Sequence, residues 1–193
     1  RIEKDAWFLG TGLTIENGVL KGAGDAQSYS FFMGDEDHSS VTLRNLTCLG
    51  GFNFYNTTAD IYDCSIKLVK GYNAIWADEA SDVTIHSGLY DGTNRDQGHG
   101  IIGASANSTL NILGGVFLSN STTMLTSTWE AGASCDGISV KGGTFNVNVA
   151  DFVECVEKKN VDPVIVNEHQ SVLAANCTVT EANGLYTVRQ NLD

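Results

Sequence analysis

The chain carries a repeated pattern in which apolar and polar positions alternate before a turn residue. The first apolar positions of its six copies are Ile15, Leu43, Ile61, Ile85, Ile112 and Val140. Apolar residues stand two positions earlier (Leu13, Val41, Ala59, Val83, Leu110, Ile138) and five positions later (Leu20, Cys48, Ile66, Tyr90, Phe117, Phe145). The position directly before each first position is polar: Thr14, Thr42, Asp60, Thr84, Asn111 and Ser139. This alternation is typical of β-strands that bury one face.

A turn residue follows the first strand of each copy at a fixed place. The fourth position is glycine in four of the six copies, and glycine permits a bend because it has no Cβ. The third position holds Asn17, Asn45 and Asp63 in the first three copies, and these side chains are predicted to hydrogen-bond up a stack as a ladder. Successive copies begin 28, 18, 24, 27 and 28 residues apart, close to one coil of a β-helix.

A second apolar segment precedes most copies, at 31–33, 52–55, 74–76 and around Ile101 and Ile102. Each coil is therefore predicted to hold at least two strands, joined by polar turns such as 35–40 and 78–82. No copy has room for both a strand and an amphipathic helix, which argues against alternating βαβ units. Identical columns favour parallel stacking over the alternative, an antiparallel sandwich. The pattern predicts an all-β parallel β-helix of about six to seven rungs.

The ends of the stack are expected to carry caps within a single domain, 1–193. The rungs occupy 13–148, and Trp7, Phe8 and Leu9 read as a plug within an N-terminal cap, 1–12. The C-terminal cap, 149–193, is predicted to begin with a short helix at 151–159, because its charge order suits the helix dipole. A strand at 164–166 and a hairpin around Asn183 and Gly184, with strands 178–180 and 185–188, are expected to close it.

Charge and composition narrow the classes of function. Lys and Arg total 11 against 23 Asp and Glu, a formal net charge of −12, so a nucleic acid would be repelled. No apolar run approaches the ~20 residues of a membrane-spanning helix, and no signal-peptide pattern follows Arg1, so we expect a mature protein or an excised fragment. The five cysteines have no CxxC spacing, which argues against a zinc site. Acidity of this kind keeps a secreted domain soluble.

The C-terminal part carries a family resemblance. Residues 142–145 read GGTF and lead through Asp151, and residues 183–188 read NGLYTV. The chain resembles the pectate-lyase-like superfamily of right-handed parallel β-helices, and its tail looks like those of repetitive cell-surface proteins of Gram-positive gut bacteria. The resemblance implies a non-catalytic binding module or adhesin, on the cell surface or secreted, that contacts a host surface protein or glycan without a cofactor. A structural stalk is an alternative.

One motif points instead to an enzyme. The succession Gly98, His99, Gly100 and Ile101 is similar to a signature of polygalacturonases, whose chemistry resembles inverting glycoside hydrolysis by paired carboxyl groups. Asp78 and Glu79 precede His99 by about one coil, as this resemblance requires. The family's Arg-x-Lys does not follow, since no arginine lies between Arg95 and Arg189, and an anionic substrate would lack its charge clamp. Because the motif around His99 is present but the Arg-x-Lys is missing, the alternative function is a polysaccharide-active enzyme or a degenerate remnant of one.

The candidate binding residues lie in the second position of the repeat, which is predicted to point outward. This column reads Glu16, Arg44, Tyr62, His86, Leu113 and Lys141. We expect Arg44, Tyr62, His86 and Lys141 to contact a ligand, because rings and cationic donors dominate binding hot spots. Clustered carboxylates at Asp35, Glu36 and Asp37 suit the oxygen preference of Ca²⁺, although acids in an exposed turn are usually just solvated.

Overall fold

The structure is a computed structural model that describes residues 6–22, 30–70, 73–96, 100–105, 107–122, 124–127, 137–150, 153–159, 162–167 and 171–191. Within these ranges the chain is all-β and contains no helix. Its strands wind into a β-solenoid of about five turns. Accordingly, no described helix is long and apolar enough to span a membrane.

The described strands number eighteen and are short except where one runs around a corner of the coil. They are β1 Ala6–Phe8, β2 Leu13–Lys21, β3 Phe31–Leu49, β4 Phe52–Tyr62, β5 Cys64–Lys67, β6 Ile75–Asp78, β7 Asp82–Ile85, β8 Gly88–Gly92 and β9 Ile102–Ala104. The rest are β10 Thr109–Ile112, β11 Val116–Ser119, β12 Leu125–Ser127, β13 Ile138–Val140, β14 Gly143–Phe145, β15 Val153–Lys159, β16 Asp162–Asn167, β17 Cys177–Ala182 and β18 Leu185–Gln190.

Parallel pairing arranges these strands into three stacks, called here faces 1, 2 and 3. Face 1 stacks the first halves of the repeats, from the start of β2 through β3, β4, β7, β10 and β13. Face 2 stacks the second halves, from the end of β2 through β3, β5, β8, β11 and β14. Face 3 stacks the preceding apolar segments, from β1 through β3, β4, β6, β9, β12 and β15.

The register predicted from the repeat is confirmed on face 1. Ile15 pairs with Leu43, and the column continues through Ile61, Ile85, Ile112 and Val140. All of these are fully buried except Ile15, which is half-buried because β2 is the outermost strand of this stack among the described residues. One apolar file therefore runs along the core.

The second apolar column is confirmed as well. Cys48 lies between Leu20 and Ile66 and is completely buried, as expected for a thiol in an apolar column. Farther along, the rings of Tyr90, Phe117 and Phe145 stack with centroids 4.8 Å apart at each step. This spacing equals the strand spacing of a sheet, so parallel pairing by itself places one ring above the next.

The corner between faces 1 and 2 is built in two ways. Asn17, Asn45 and Asp63 adopt left-handed φ values of 55°, 49° and 51°, which Asn and Asp tolerate better than other side chains. The predicted ladder is present in part, since Asn45 Nδ2 donates to Asn17 Oδ1 at 2.9 Å. Asp63 Oδ1 instead accepts a hydrogen bond from Ser87 Oγ at 2.7 Å, one rung beyond the predicted positions. From Gly88 onward, glycines at the fourth position make the bend instead.

The C-terminal helix predicted at 151–159 is wrong, because residues 153–159 form strand β15. Val153 continues the face 3 column from Leu125, so pairing with the preceding coil satisfies its backbone and outweighs the local charge order. The other C-terminal predictions are confirmed. Residues 164–166 lie in β16, which pairs antiparallel with β15, and β17 and β18 form an antiparallel hairpin around Asn183 and Gly184.

The rung count and two local features differ from expectation. The solenoid makes about five turns rather than six to seven. The expected N-terminal plug is instead the first strand of face 3, with Trp7 stacked on Phe32 at 4.6 Å. The turn expected at 35–40 is an irregularity within β3, between Gly34 and Ser39. The turn at 78–82 is confirmed, with Ser81 N donating to Asp78 O.

Candidate functional site

The outward column of face 1 brings three predicted residues into contact. Arg44 pairs with Tyr62 in the strand register, and its guanidinium carbon lies 4.0 Å from the centre of the Tyr62 ring. The His86 ring stacks on Tyr62 with centroids 4.0 Å apart and planes 11° apart. Strand alternation turns these side chains away from the core, while the neighbouring Leu43, Ile61 and Ile85 point inward. We call Arg44, Tyr62 and His86 the Arg–Tyr–His stack.

An acidic residue outside the predicted set orients the imidazole. His86 Nε2 lies 2.7 Å from Asp60 Oδ1, and their side chains are 28% and 44% exposed. Asp60 stands in the all-polar column of face 1, on the rung before His86. This pair was not predicted from the sequence, because the two residues belong to different columns of the repeat and such columns meet only diagonally, between adjacent rungs. The contact holds one ring nitrogen towards a carboxylate and fixes the orientation of the ring.

The packing of the Arg–Tyr–His stack limits how it can bind. Arg44 covers one face of the Tyr62 ring and His86 covers the other, so neither ring face is open to stack against a sugar. The groups left to a ligand are the N–H donors of the exposed guanidinium, the phenol hydroxyl and the ring edges. This surface therefore suits hydrogen-bond acceptors and anionic groups.

Lys141 is separated from the Arg–Tyr–His stack. The backbone ladder continues from Ile85 to Leu113 and from Ile112 to Lys141, which places both residues in the same outward file. Leu113 is 39% exposed and lies between His86 and Lys141. At ~4.8 Å for each rung, Lys141 stands about 10 Å beyond His86. It can join a contact with an extended ligand but not a contact with a single small group.

The residues of the enzyme alternative occupy a turn on another side of the coil. Asp78 ends β6 on face 3, and its Oδ1 accepts the Glu79 N–H at 3.1 Å. Its carbonyl oxygen accepts the Ser81 hydroxyl at 2.6 Å, and Glu79 is exposed with a φ of 47°. These contacts account for both residues as parts of the bend between faces 3 and 1. His99 lies outside the described residues.

The acidic turn and the thiols complete the candidates. Asp35, Glu36 and Asp37 lie in β3, and Asp37 is exposed. In the described part of the chain, no three His, Cys, Asp or Glu side chains are grouped to hold a metal ion.

Burial raises the pKa of the Cys48 thiol far above its ordinary value, and burial likewise raises the pKa of the Cys64 thiol. Neither thiol is therefore a nucleophile at neutral pH.

Comparison with protein-family models, with curated proteins and with solved structures gave no match for this chain. Function is accordingly argued from the geometry of the faces.

Proposed function

We propose that this chain is a non-catalytic extracellular binding module, an adhesin of a bacterial cell surface, that contacts a host protein or glycan through the outer side of face 1. The observation that carries the proposal is the Arg–Tyr–His stack, braced by Asp60 at 2.7 Å from His86. The proposal includes the resemblance to pectate-lyase-like proteins and the right-handed winding that it implies.

The stack is suited to binding because its side chains are already ordered. Each member of the stack is held by a neighbour at 4.0 Å, and the strands beneath are paired on both sides. A ligand that docks there immobilises few additional rotamers, which lowers the entropic cost of association. Tyrosine and arginine are also the residue types that contribute most to binding hot spots.

Charge indicates the kind of epitope. The chain carries a net charge of −12. The outward file of face 1 presents the cations Arg44 and Lys141 beside the acid Glu16, and the neighbouring acids Asp60 and Asp82 on the same side are engaged by His86 and Thr109. Exposed guanidinium donors form charge-assisted hydrogen bonds with carboxylates and sulfates. We therefore propose an anionic group as the recognised feature, carried either by an acidic side chain of a host protein or by an acidic sugar.

The test uses host-glycan arrays that include sialylated and sulfated glycans, together with purified host surface proteins, followed by surface plasmon resonance. Replacing Tyr62→Ala and His86→Ala together is expected to weaken a confirmed ligand about thirtyfold, roughly 2 kcal/mol. A matched control removes two exposed side chains of face 2, Thr47→Ala with Leu89→Ala. Circular dichroism establishes that both double variants are folded, and an unchanged dissociation constant in the Tyr62/His86 variant would refute the proposal.

A second variant separates charge from geometry. Arg44→Lys keeps the positive charge but loses the planar guanidinium that covers the Tyr62 ring, so we expect it to weaken ligand binding nearly as much as Arg44→Ala.

A reducing-sugar assay on polygalacturonate is expected to detect no cleavage. Cleavage that disappears in Asp78→Ala would replace the adhesin with a glycosidase.

A further inference from the structure

An open, shallow cleft of about 440 Å³ lies where face 2 meets the C-terminal hairpin. Its walls come from the end of β11, from the segment that follows β14 and from β18. The lining consists of hydroxyl and amide side chains, one valine and the ring of Tyr186, and none of these groups is charged at pH 7. The volume lies within the range of about 300–1,000 Å³ that is typical of small-molecule sites.

Two amide groups in the wall are held in fixed orientations. Asn146 Nδ2 donates to Ser119 O at 2.8 Å, and Asn146 Oδ1 accepts the Ser119 N–H at 2.8 Å. Asn120 Nδ2 donates to Arg95 O at 2.8 Å, and its Oδ1 accepts Arg95 Nε–H at 3.0 Å. Both atoms of each amide are anchored, so neither group can rotate away from the cleft without losing two hydrogen bonds.

The anchored amides keep capacity for a ligand. An amide has two N–H donors and two oxygen lone pairs, and the contacts to Ser119 and Arg95 use one of each. The hydroxyl of Thr122 adds a group that both donates and accepts. Tyr186, which is half-buried, adds a phenol hydroxyl and an apolar ring edge to the same cleft.

From this arrangement we propose that the cleft binds one pyranose unit of a neutral saccharide. Vicinal sugar hydroxyls donate and accept at once, and fixed amides with a spare donor and a spare acceptor match them in pairs. The C–H groups of the sugar ring would pack against Tyr186 and Val147, which lie in the same wall. An anionic sugar is disfavoured because the described residues that line the cleft include no cation to compensate for its desolvation. The site is separate from the Arg–Tyr–His stack and does not depend on the function proposed for it.

The test is saturation-transfer NMR on the full chain with the methyl glycosides of glucose, galactose, mannose and N-acetylglucosamine, followed by titration. We expect at least one of these glycosides to bind with a dissociation constant of about 1–10 mM. Asn120→Asp keeps the size of the side chain and an oxygen for Arg95 Nε, but removes the amide donors, and is expected to weaken the glycoside about tenfold. The control is Asn45→Asp, which changes an exposed amide outside the cleft and should leave the titration unchanged.

A second pair of variants protects the test against unfolding. Tyr186→Phe keeps the ring and removes only the hydroxyl, and it is expected to weaken the glycoside about threefold to tenfold; Tyr55→Phe, at an exposed tyrosine on face 3, is its control. Failure of all four glycosides to bind at 10 mM, or equal binding by Asn120→Asp, Tyr186→Phe and the wild type, would overturn the proposal.

Discussion

At the scale of single residues, the corner between faces 1 and 2 decides which side chains the repeat can accept. Where Asn17, Asn45 or Asp63 makes the bend, the fourth position has ordinary φ and can hold a buried side chain, as Leu46 and Cys64 show. In the later copies, the fourth-position glycine itself takes φ values between 113° and 128°. That conformation is costly for any residue with a Cβ, so the later copies need glycine at this position.

Gly88 and Gly18 occupy the same repeat position, so alanine substitutions at the two sites test whether the later copies need glycine there. Gly88 has a φ of 128°, and an added Cβ would collide with the carbonyl oxygen of Cys64. Gly88→Ala is therefore expected to lower the free energy of unfolding by about 1–3 kcal/mol. At Gly18 the nearest atom to an added Cβ is Leu46 Cδ2 at 3.6 Å, so Gly18→Ala should be neutral or stabilise by about 0.4–1 kcal/mol. Urea titration measures both, and equal effects would contradict the account of the corner.

The thiol of Cys48 provides a second test at this scale. Burial raises its pKa, so the neutral form persists in the folded protein at pH values where an exposed thiol loses its proton. Because only the thiolate reacts, iodoacetamide at pH 9 should leave Cys48 unmodified in the folded chain and alkylate it in urea. Half-buried Cys177 serves as the reactive reference in peptide mass mapping. Alkylation of folded Cys48 at the rate of Cys177 would show that the core opens around it.

At the scale of elements, the three faces end differently at the C-terminal side. Face 2 ends on β18, which pairs antiparallel with β14, and face 3 ends on the antiparallel pair of β15 and β16. Among the described residues, face 1 continues as a single parallel bridge from Val140 to Leu173. Antiparallel strands end the helical winding, and they cover strand edges that would otherwise be open to pairing with other chains.

Removal of the hairpin should convert this covered edge into an interface. A chain that ends at Asn176 lacks β17 and β18 and leaves the outer edge of Gly143–Phe145 unpaired. We expect such a chain to self-associate in a concentration-dependent way, measured by multi-angle light scattering beside the full chain. A truncated chain that has the same mass as the full chain at every concentration would show that β18 does not protect this edge.

At the scale of the whole molecule, the apolar core and the two proposed binding sites occupy different sides of the same coil. The inward columns form one apolar cluster that runs from Leu20 to Val188. The outward side of face 1 carries the Arg–Tyr–His stack, and the cleft that holds Asn120 and Asn146 lies where face 2 ends. A regular stack supplies rigidity to both surfaces, because each central strand is hydrogen-bonded to a neighbour on either side.

This architecture predicts a gradient of hydrogen exchange along the axis. β7 is paired with β4 on one side and β10 on the other, whereas β1 pairs with β3 alone among the described strands. Amides of Asp82–Ile85 are expected to exchange at least about tenfold more slowly than those of Ala6–Phe8, because opening the centre requires breaking two ladders. Mass spectrometry of deuterated peptides gives the rates, with β10 as an internal control that should match β7. Equal exchange in β1 and β7 would mean that the coil opens as a single unit.

The sequence alone determined the columns. Repeated apolar, polar and turn positions predicted which residues stack, and the pairing of Ile15 with Leu43 through to Val140 follows that register. It also predicted that Arg44, Tyr62 and His86 share an outward file. Periodicity suffices for this because parallel pairing places equivalent positions directly above one another. The closing hairpin was equally readable, since Asn183 and Gly184 favour the tight turn that it needs.

Only the tertiary structure decided what those side chains touch. It alone revealed that Arg44 and His86 cover both faces of Tyr62, that Asp60 holds His86 and that Val153 continues a sheet rather than opening a helix. The cleft, likewise, joins Asn120, Asn146 and Tyr186 from three separate segments. Periodicity orders positions along the chain, but contacts depend on side-chain rotamers and on the diagonal meeting of rungs, which the linear pattern does not encode.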